Sequence, residues 1–160
     1  MSSADQDLRS RVAAHPFLAG MSPHHLDLLA DCAALNTLEA DQVVFRAGDP
    51  ARGFYLIESG SVAVEGPAED GPAVTIDVVS AGEPLGWSWI FEPFVCEYGA
   101  RATEPTATIF FDAECLATHR AADLTLGHEL FKRMSQVMVR RLTAARAKLV
   151  ASAGRGEQRG

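Results

Sequence analysis

The sequence predicts a mainly β fold with flanking helices, and three observations lead there. Between Leu35 and Asp112, short apolar runs are broken by Gly, Pro, Asp and Ser every eight to twelve residues or so, the rhythm of a sandwich or barrel. The segments on either side show helical spacing instead. The chain has 160 residues, 48% hydrophobic and 22% charged, enough to bury a core as one domain. No apolar run reaches the roughly 18–20 residues of a membrane span. The start, MSSADQDLRS, lacks the apolar stretch of a secretory signal. A formal net charge of −7 argues against broad nucleic-acid binding, which needs a basic surface. These features together describe a cytoplasmic protein with no membrane partner.

The elements follow in order. Residues 1–34 form an N-terminal helical segment. Ser22 caps a helix that has Pro23 at its first position, and Leu26, Leu28, Leu29 and Cys32 give it an apolar face. Residues 35–112 carry the sheet, with strands expected at 34–38, 42–46, 53–59, 61–65, 73–79, 99–104 and 106–111. Ser59-Gly60 is a tight-hairpin candidate, because glycine takes positive φ without steric cost. Glu69-Asp70-Gly71 is the expected tip of another hairpin. Residues 113–152 are helical again: a short helix at 113–119, then a long one at 123–152 with Asp123 at its start, where a carboxylate suits the helix dipole. Phe131, Met134, Met138, Leu142, Ala145 and Leu149 recur every three or four residues along it. The opposite side carries Lys132, Arg133, Arg140, Arg146 and Lys148. The Gly- and charge-rich residues 153–160 read as a disordered tail.

Chemistry-bearing residues are sparse. Cys32, Cys96 and Cys115 are odd in number and widely spaced, which suggests free thiols in a reducing compartment. None of the five histidines, His15, His24, His25, His119 and His128, lies in an expected strand, and no His-x-His pair offers a metal site. His24 and His25 are adjacent on a helix and should point in different directions. No nucleophile elbow or phosphate loop is present, so no catalytic residue or metal ligand is assigned and the chain reads as a non-enzyme.

The run Gln42-Val43-Val44-Phe45-Arg46-Ala47-Gly48-Asp49-Pro50-Ala51-Arg52-Gly53-Phe54-Tyr55-Leu56-Ile57-Glu58-Ser59-Gly60-Ser61-Val62 resembles the signature of cyclic nucleotide-binding domains. Glycines, turn and apolar alternation agree in register over some twenty residues, and weaker resemblance runs from about His15 to Val150. The resemblance implies a β-roll (a double-stranded jelly roll) with N-terminal helices and a long C-terminal helix, as in catabolite activator protein and FNR-type sensor domains. It implies a regulatory or sensor module with a homodimer formed by parallel pairing of the long helix through Phe131, Met134, Met138, Leu142, Ala145 and Leu149. The helix-turn-helix of such regulators has no counterpart here, so the expectation is a freestanding domain without direct DNA binding.

One stretch departs from the pattern. The family's phosphate-binding cassette reads F-G-E, a few residues, then R-[ST]-A. Its Glu bonds the ribose hydroxyl and its Arg pairs with the cyclic phosphate. Here it reads Leu85-Gly86-Trp87-Ser88-Trp89, with Trp87 in place of the Glu. If Arg101-Ala102 matches the end of the following family strand, the phosphate Arg falls at Cys96. Losing that charge-assisted pair costs a few kcal/mol, or about two orders of magnitude in affinity. A cyclic nucleotide is therefore the ligand the resemblance suggests and the residues fail to anchor. The candidate ligand residues are Leu85, Gly86, Trp87, Ser88, Trp89, Cys96, Glu97 and Arg101. Two readings stay open: the tryptophans form a flat wall for a planar ligand, or they fill the vacated pocket. The first gives a small-molecule sensor; the second gives a degenerate sensor or assembly subunit that docks on a protein partner.

Overall fold

The computed structural model describes residues 2–66 and 71–158. It falls into two compact units, Met1–Leu124 and Thr125–Gly160. In the first unit, α1 (Ser3–Ala14) opens on a capping box in which Ser2 and Asp5 bond each other's backbone N–H groups. A single 3-10 turn, Pro16–Leu18, leads to α2 (Pro23–Asp31), where Ser22 accepts a hydrogen bond from the His25 N–H and Pro23 takes the first helical position, as the sequence suggested. Arg9 of α1 clamps α2 through Asp31 at 2.8 Å and Asp27 at 3.5 Å.

Among the described residues eight antiparallel strands follow: β1 (Ala33–Leu38), β2 (Val43–Phe45), β3 (Gly53–Ser59), β4 (Ser61–Gly66), β5 (Val74–Ser80), β6 (Pro84–Leu85), β7 (Gly99–Ala102) and β8 (Thr106–Asp112). They form two four-stranded sheets, in the orders β1-β8-β3-β6 and β2-β7-β4-β5. All but β6 were legible from alternation; two residues are too few to display a period. Ser59-Gly60 proves not to be a hairpin. β3 and β4 lie in different sheets, and Gly60, at φ +93°, is the corner where the chain passes between them. Thr106 Oγ1 accepts the Ser61 N–H at 3.2 Å, and the Thr103 N–H donates to the Ser61 carbonyl at 3.0 Å. The β4–β5 connection is a true hairpin, with pairing from Ser61↔Ser80 to Gly66↔Val74. Glu69 and Asp70 of its expected tip lie outside the described residues.

The interior holds Leu38, Ile57, Val62, Val79, Leu85, Ala100 and Ala102, drawn from both sheets. Beside them Phe54 and Phe111 stack at 4.8 Å between ring centroids and are fully buried. α3 (Ala113–Ala122) starts on Asp112, whose carboxylate accepts the Cys115 N–H at 2.9 Å. Asp123 closes α3, donating its N–H to the His119 carbonyl at 2.9 Å, and immediately precedes the next helix, at whose start it was expected.

α4 spans Leu124–Gln158, and its residues from Thr125 onward belong to the second unit. It continues to Gln158 through the segment expected to be a disordered tail. Gly154 and Gly156 each cost the helix only about 1 kcal/mol, and the Ala and Arg residues around them favour helix. No helix among the described residues is long and apolar enough to cross a membrane.

The expectation of three free thiols fails for two of them. Cys32, at the end of α2, and Cys115, in the first turn of α3, form a disulfide across 83 residues of sequence, with Cα atoms 5.5 Å apart. Pairing of β1 with β8, starting at Ala33↔Phe111, brings them together, and the Asp112 N–H donates to the Cys32 carbonyl at 3.0 Å. Cys96 is free and buried.

Candidate ligand cassette

The cassette begins on β6, where Leu85 pairs with Tyr55 of β3. Gly86 turns the chain at φ +95°, so the glycine expected from the family pattern does its backbone work. No helix follows in residues 86–98; the Ile90 N–H closes a turn on the Trp87 carbonyl at 3.1 Å, and the Phe94 N–H closes another on Phe91 at 2.8 Å. Ser88 is therefore not a helix cap, and the segment presents no helix N-terminus to an anion. The Glu92–Pro93 peptide is cis. Beyond it the chain zips onto the turn that precedes β3: the Ala51 N–H donates to the Phe94 carbonyl, the Cys96 N–H to Asp49, and the Gly48 N–H to Cys96, each at 2.8 Å. Asp49 holds that turn by accepting the Arg46 N–H at 2.8 Å.

The tryptophans separate. Trp89 is 3% exposed, with its ring stacked on Phe54 at 5.3 Å, while Trp87 is half-buried. Trp89 extends the Phe111–Phe54 stack outward by one ring. The Arg120 guanidinium of α3 lies over the Trp89 ring at 5.3 Å, within cation–π range. Burial lowers the Arg120 pKa.

The other expected ligand residues are engaged elsewhere. Arg101 of β7 donates to Glu65 at 2.7 Å and to Asp41 at 3.0 Å, so two carboxylates already hold its fork. Those bonds, led by the one to Glu65, raise its pKa. Cys96 is 8% exposed, and burial first, then Asp49, raises the pKa of its thiol, the opposite of what a reactive thiolate needs. Glu97 is exposed. Leu85 is part of the core. The cassette thus buries Leu85, Trp89 and Cys96, half-buries Gly86, Trp87 and Ser88, and leaves Glu97 and Arg101 at the surface.

On α4, Met134 is buried and Met138 half-buried, while Phe131, Leu142, Ala145 and Leu149 are exposed; Leu149 is 69% exposed. Three features were invisible in the sequence. Arg120 had no motif to place it over Trp89. His24 and His25 do not diverge as adjacent helix positions should: both Nε2 atoms approach one Asp123 oxygen, at 3.3 and 3.5 Å. Arg11, His15, Ile57, Glu58, Ala81 and Gly82 line a cavity of about 330 Å³, with Arg11 paired to Glu58 at 2.6 Å.

The family model described as the cyclic nucleotide-binding domain matches residues 35–122. The chain belongs to that family. Among solved structures it is similar to a cyclic nucleotide-binding protein from Geobacter metallireducens (22% identity, TM-score 0.73), covering 89% of this chain and 99% of that one. It is also similar to a cAMP-binding acyltransferase from Mycobacterium smegmatis (27% identity, TM-score 0.71), covering 89% of this chain and 43% of that one. Among curated proteins, the acetyltransferase Pat of Mycolicibacterium smegmatis is 42% identical over 67 residues, which is 42% of this chain. The chain spans about a fifth of that relative's length. The cyclic nucleotide-binding fold supports a regulatory or sensor module.

Proposed function

We propose that this domain is a regulatory module whose cassette is closed by its own side chains, so that it acts through contact with a protein and not by taking up a cyclic nucleotide. The observation that carries this reading is Trp89, buried and held between Phe54 and Arg120. A planar ligand seeking that face meets a ring already stacked there. The missing polar anchors at Trp87 and Cys96 and the two carboxylates on Arg101 support it. Isothermal titration against cyclic AMP, cyclic GMP and cyclic dinucleotides gives no heat at millimolar ligand on this reading; micromolar binding of any of them refutes it.

The relation to Pat favours a more specific form: the module regulates an acyltransferase-class catalytic domain and performs no chemistry itself. A homodimer through paired α4 helices is part of the proposal, supported by exposed Leu142, Leu149, Val139 and Val150. Light scattering at tens of micromolar then reports a dimer, which Leu142→Glu dissociates.

A further inference from the structure

The disulfide is not alone at its site. The sulfurs of Cys32 and Cys115 and a ring nitrogen of His119 all lie within 4.8 Å of one another. Cys115 and His119 are four residues apart on α3 and share a face. Cys32 enters from the end of α2 and is 6% exposed, so one side of the group is dry. Cys115 and His119 are half-buried, which leaves a path for an ion. Asp31 Oδ2 stands 3.9 Å from His119 Nε2, beyond hydrogen-bond reach, while its Oδ1 is held by Arg9 at 2.8 Å. A disulfide by itself does not require the histidine.

Zinc prefers such a donor set, with Zn–S bonds of about 2.3 Å and Zn–N bonds of about 2.0–2.1 Å. Tetrahedral geometry at those lengths sets the two sulfurs about 3.8 Å apart and each sulfur about 3.6 Å from the nitrogen. The bonded sulfurs must part to reach that spacing, and the His119 nitrogen, already within 4.8 Å of both, needs to move by about an ångström at most.

We propose that in the dithiol state Cys32, Cys115 and His119 bind one zinc ion, and that oxidation to the disulfide releases it. The steps balance. A phosphine reductant takes one oxygen from water and delivers two electrons and two protons to the disulfide, giving two thiols and the phosphine oxide. Zinc binding then displaces both thiol protons, leaving two thiolates and a neutral imidazole around the ion. In the reverse direction, hydrogen peroxide accepts two electrons from the two thiolates and its O–O bond breaks; the S–S bond forms, two hydroxide ions leave and Zn2+ is set free.

The test uses the full chain, reduced anaerobically with a phosphine, stripped with chelator and titrated with cobalt(II), then with zinc. One cobalt per chain is expected, with a thiolate-to-cobalt absorption band that zinc abolishes by displacement. Cys115→Ser loses the band. His119→Ala, at a half-buried position that folding tolerates, weakens zinc at least tenfold. Peroxide-treated protein binds no metal with that band. The proposal is overturned if reduced protein shows no thiolate band, if His119→Ala binds as tightly as the unaltered chain, or if metal binds without thiolate absorption, as it would at His24, His25 and Asp123.

Discussion

Two neighbouring stretches, Gly53–Ser61 and Pro84–Tyr98, are joined by the pairing of β3 with β6, and they are constrained in different ways. The first is fixed by backbone. A Cβ on Gly53 would sit 1.9 Å from the Phe111 carbonyl oxygen, and one on Gly60 would sit 2.6 Å from the Pro105 oxygen at a positive φ. The second is held by side chains. Its backbone turns at Gly86 and Phe94, both at positive φ, and makes three bonds to residues 48–51; its interior is closed by Trp89 on Phe54 and Arg120 over Trp89. Residues dictated by the path of the chain keep the family pattern. On the proposed reading, residues whose work in the family is to hold a ligand have changed, and the stack of Trp89 on Phe54 takes their space.

Four changes test that contrast, the largest first. Gly53→Ala forces apart β3 and β8 at an oxygen that cannot swing away; it should cost about 4 kcal/mol and lower the melting temperature by roughly 10 °C in calorimetry. If it is tolerated, the backbone half of the comparison fails. Trp89→Ala removes the outer ring of the stack at a cost of about 3–5 kcal/mol, read by denaturant titration. A loss below about 1 kcal/mol would mean that Trp89 does not fill the cassette. Cys115→Ser removes the disulfide at a cost of about 2–4 kcal/mol under oxidising conditions, and the variant should match the reduced chain once reductant is present.

The smallest effect is one of pH. His15 is buried, its Nε2–H donates to the Ile57 carbonyl at 2.8 Å, and its Nδ1 accepts the Phe17 N–H at 3.2 Å. Protonating Nδ1 would end that second bond, and burial lowers the folded-state pKa. The unfolded chain then takes up a proton more readily below pH about 6.5. The His15 contribution is therefore complete above that pH and is lost as pH falls toward the folded-state value. His15→Gln should flatten the stability profile in that window.

The strands were legible because alternation and turn residues reported them directly: β3 was placed at Gly53–Ser59 without error. The corner at Gly60 was misread as a hairpin because a positive-φ glycine between two strands looks the same whether the strands pair or part. The disulfide was illegible because 83 residues separate its halves and only the β1–β8 register brings them together. At the cassette, the sequence led to the expectation that Trp87 and Cys96 stand where the family's anchors would be. It left open whether the tryptophans line a pocket or fill it, because ring stacking depends on Phe54 and Arg120, which lie far from them in sequence.

The central claim is that Trp89 closes the cassette. Native mass spectrometry of the purified protein, with and without added cyclic AMP, tests it most directly. The account predicts the bare polypeptide mass, or twice that mass for the dimer, unchanged by cyclic AMP. A co-purified small molecule, or a nucleotide adduct that saturates at micromolar concentration, would contradict it and show that the cassette is open.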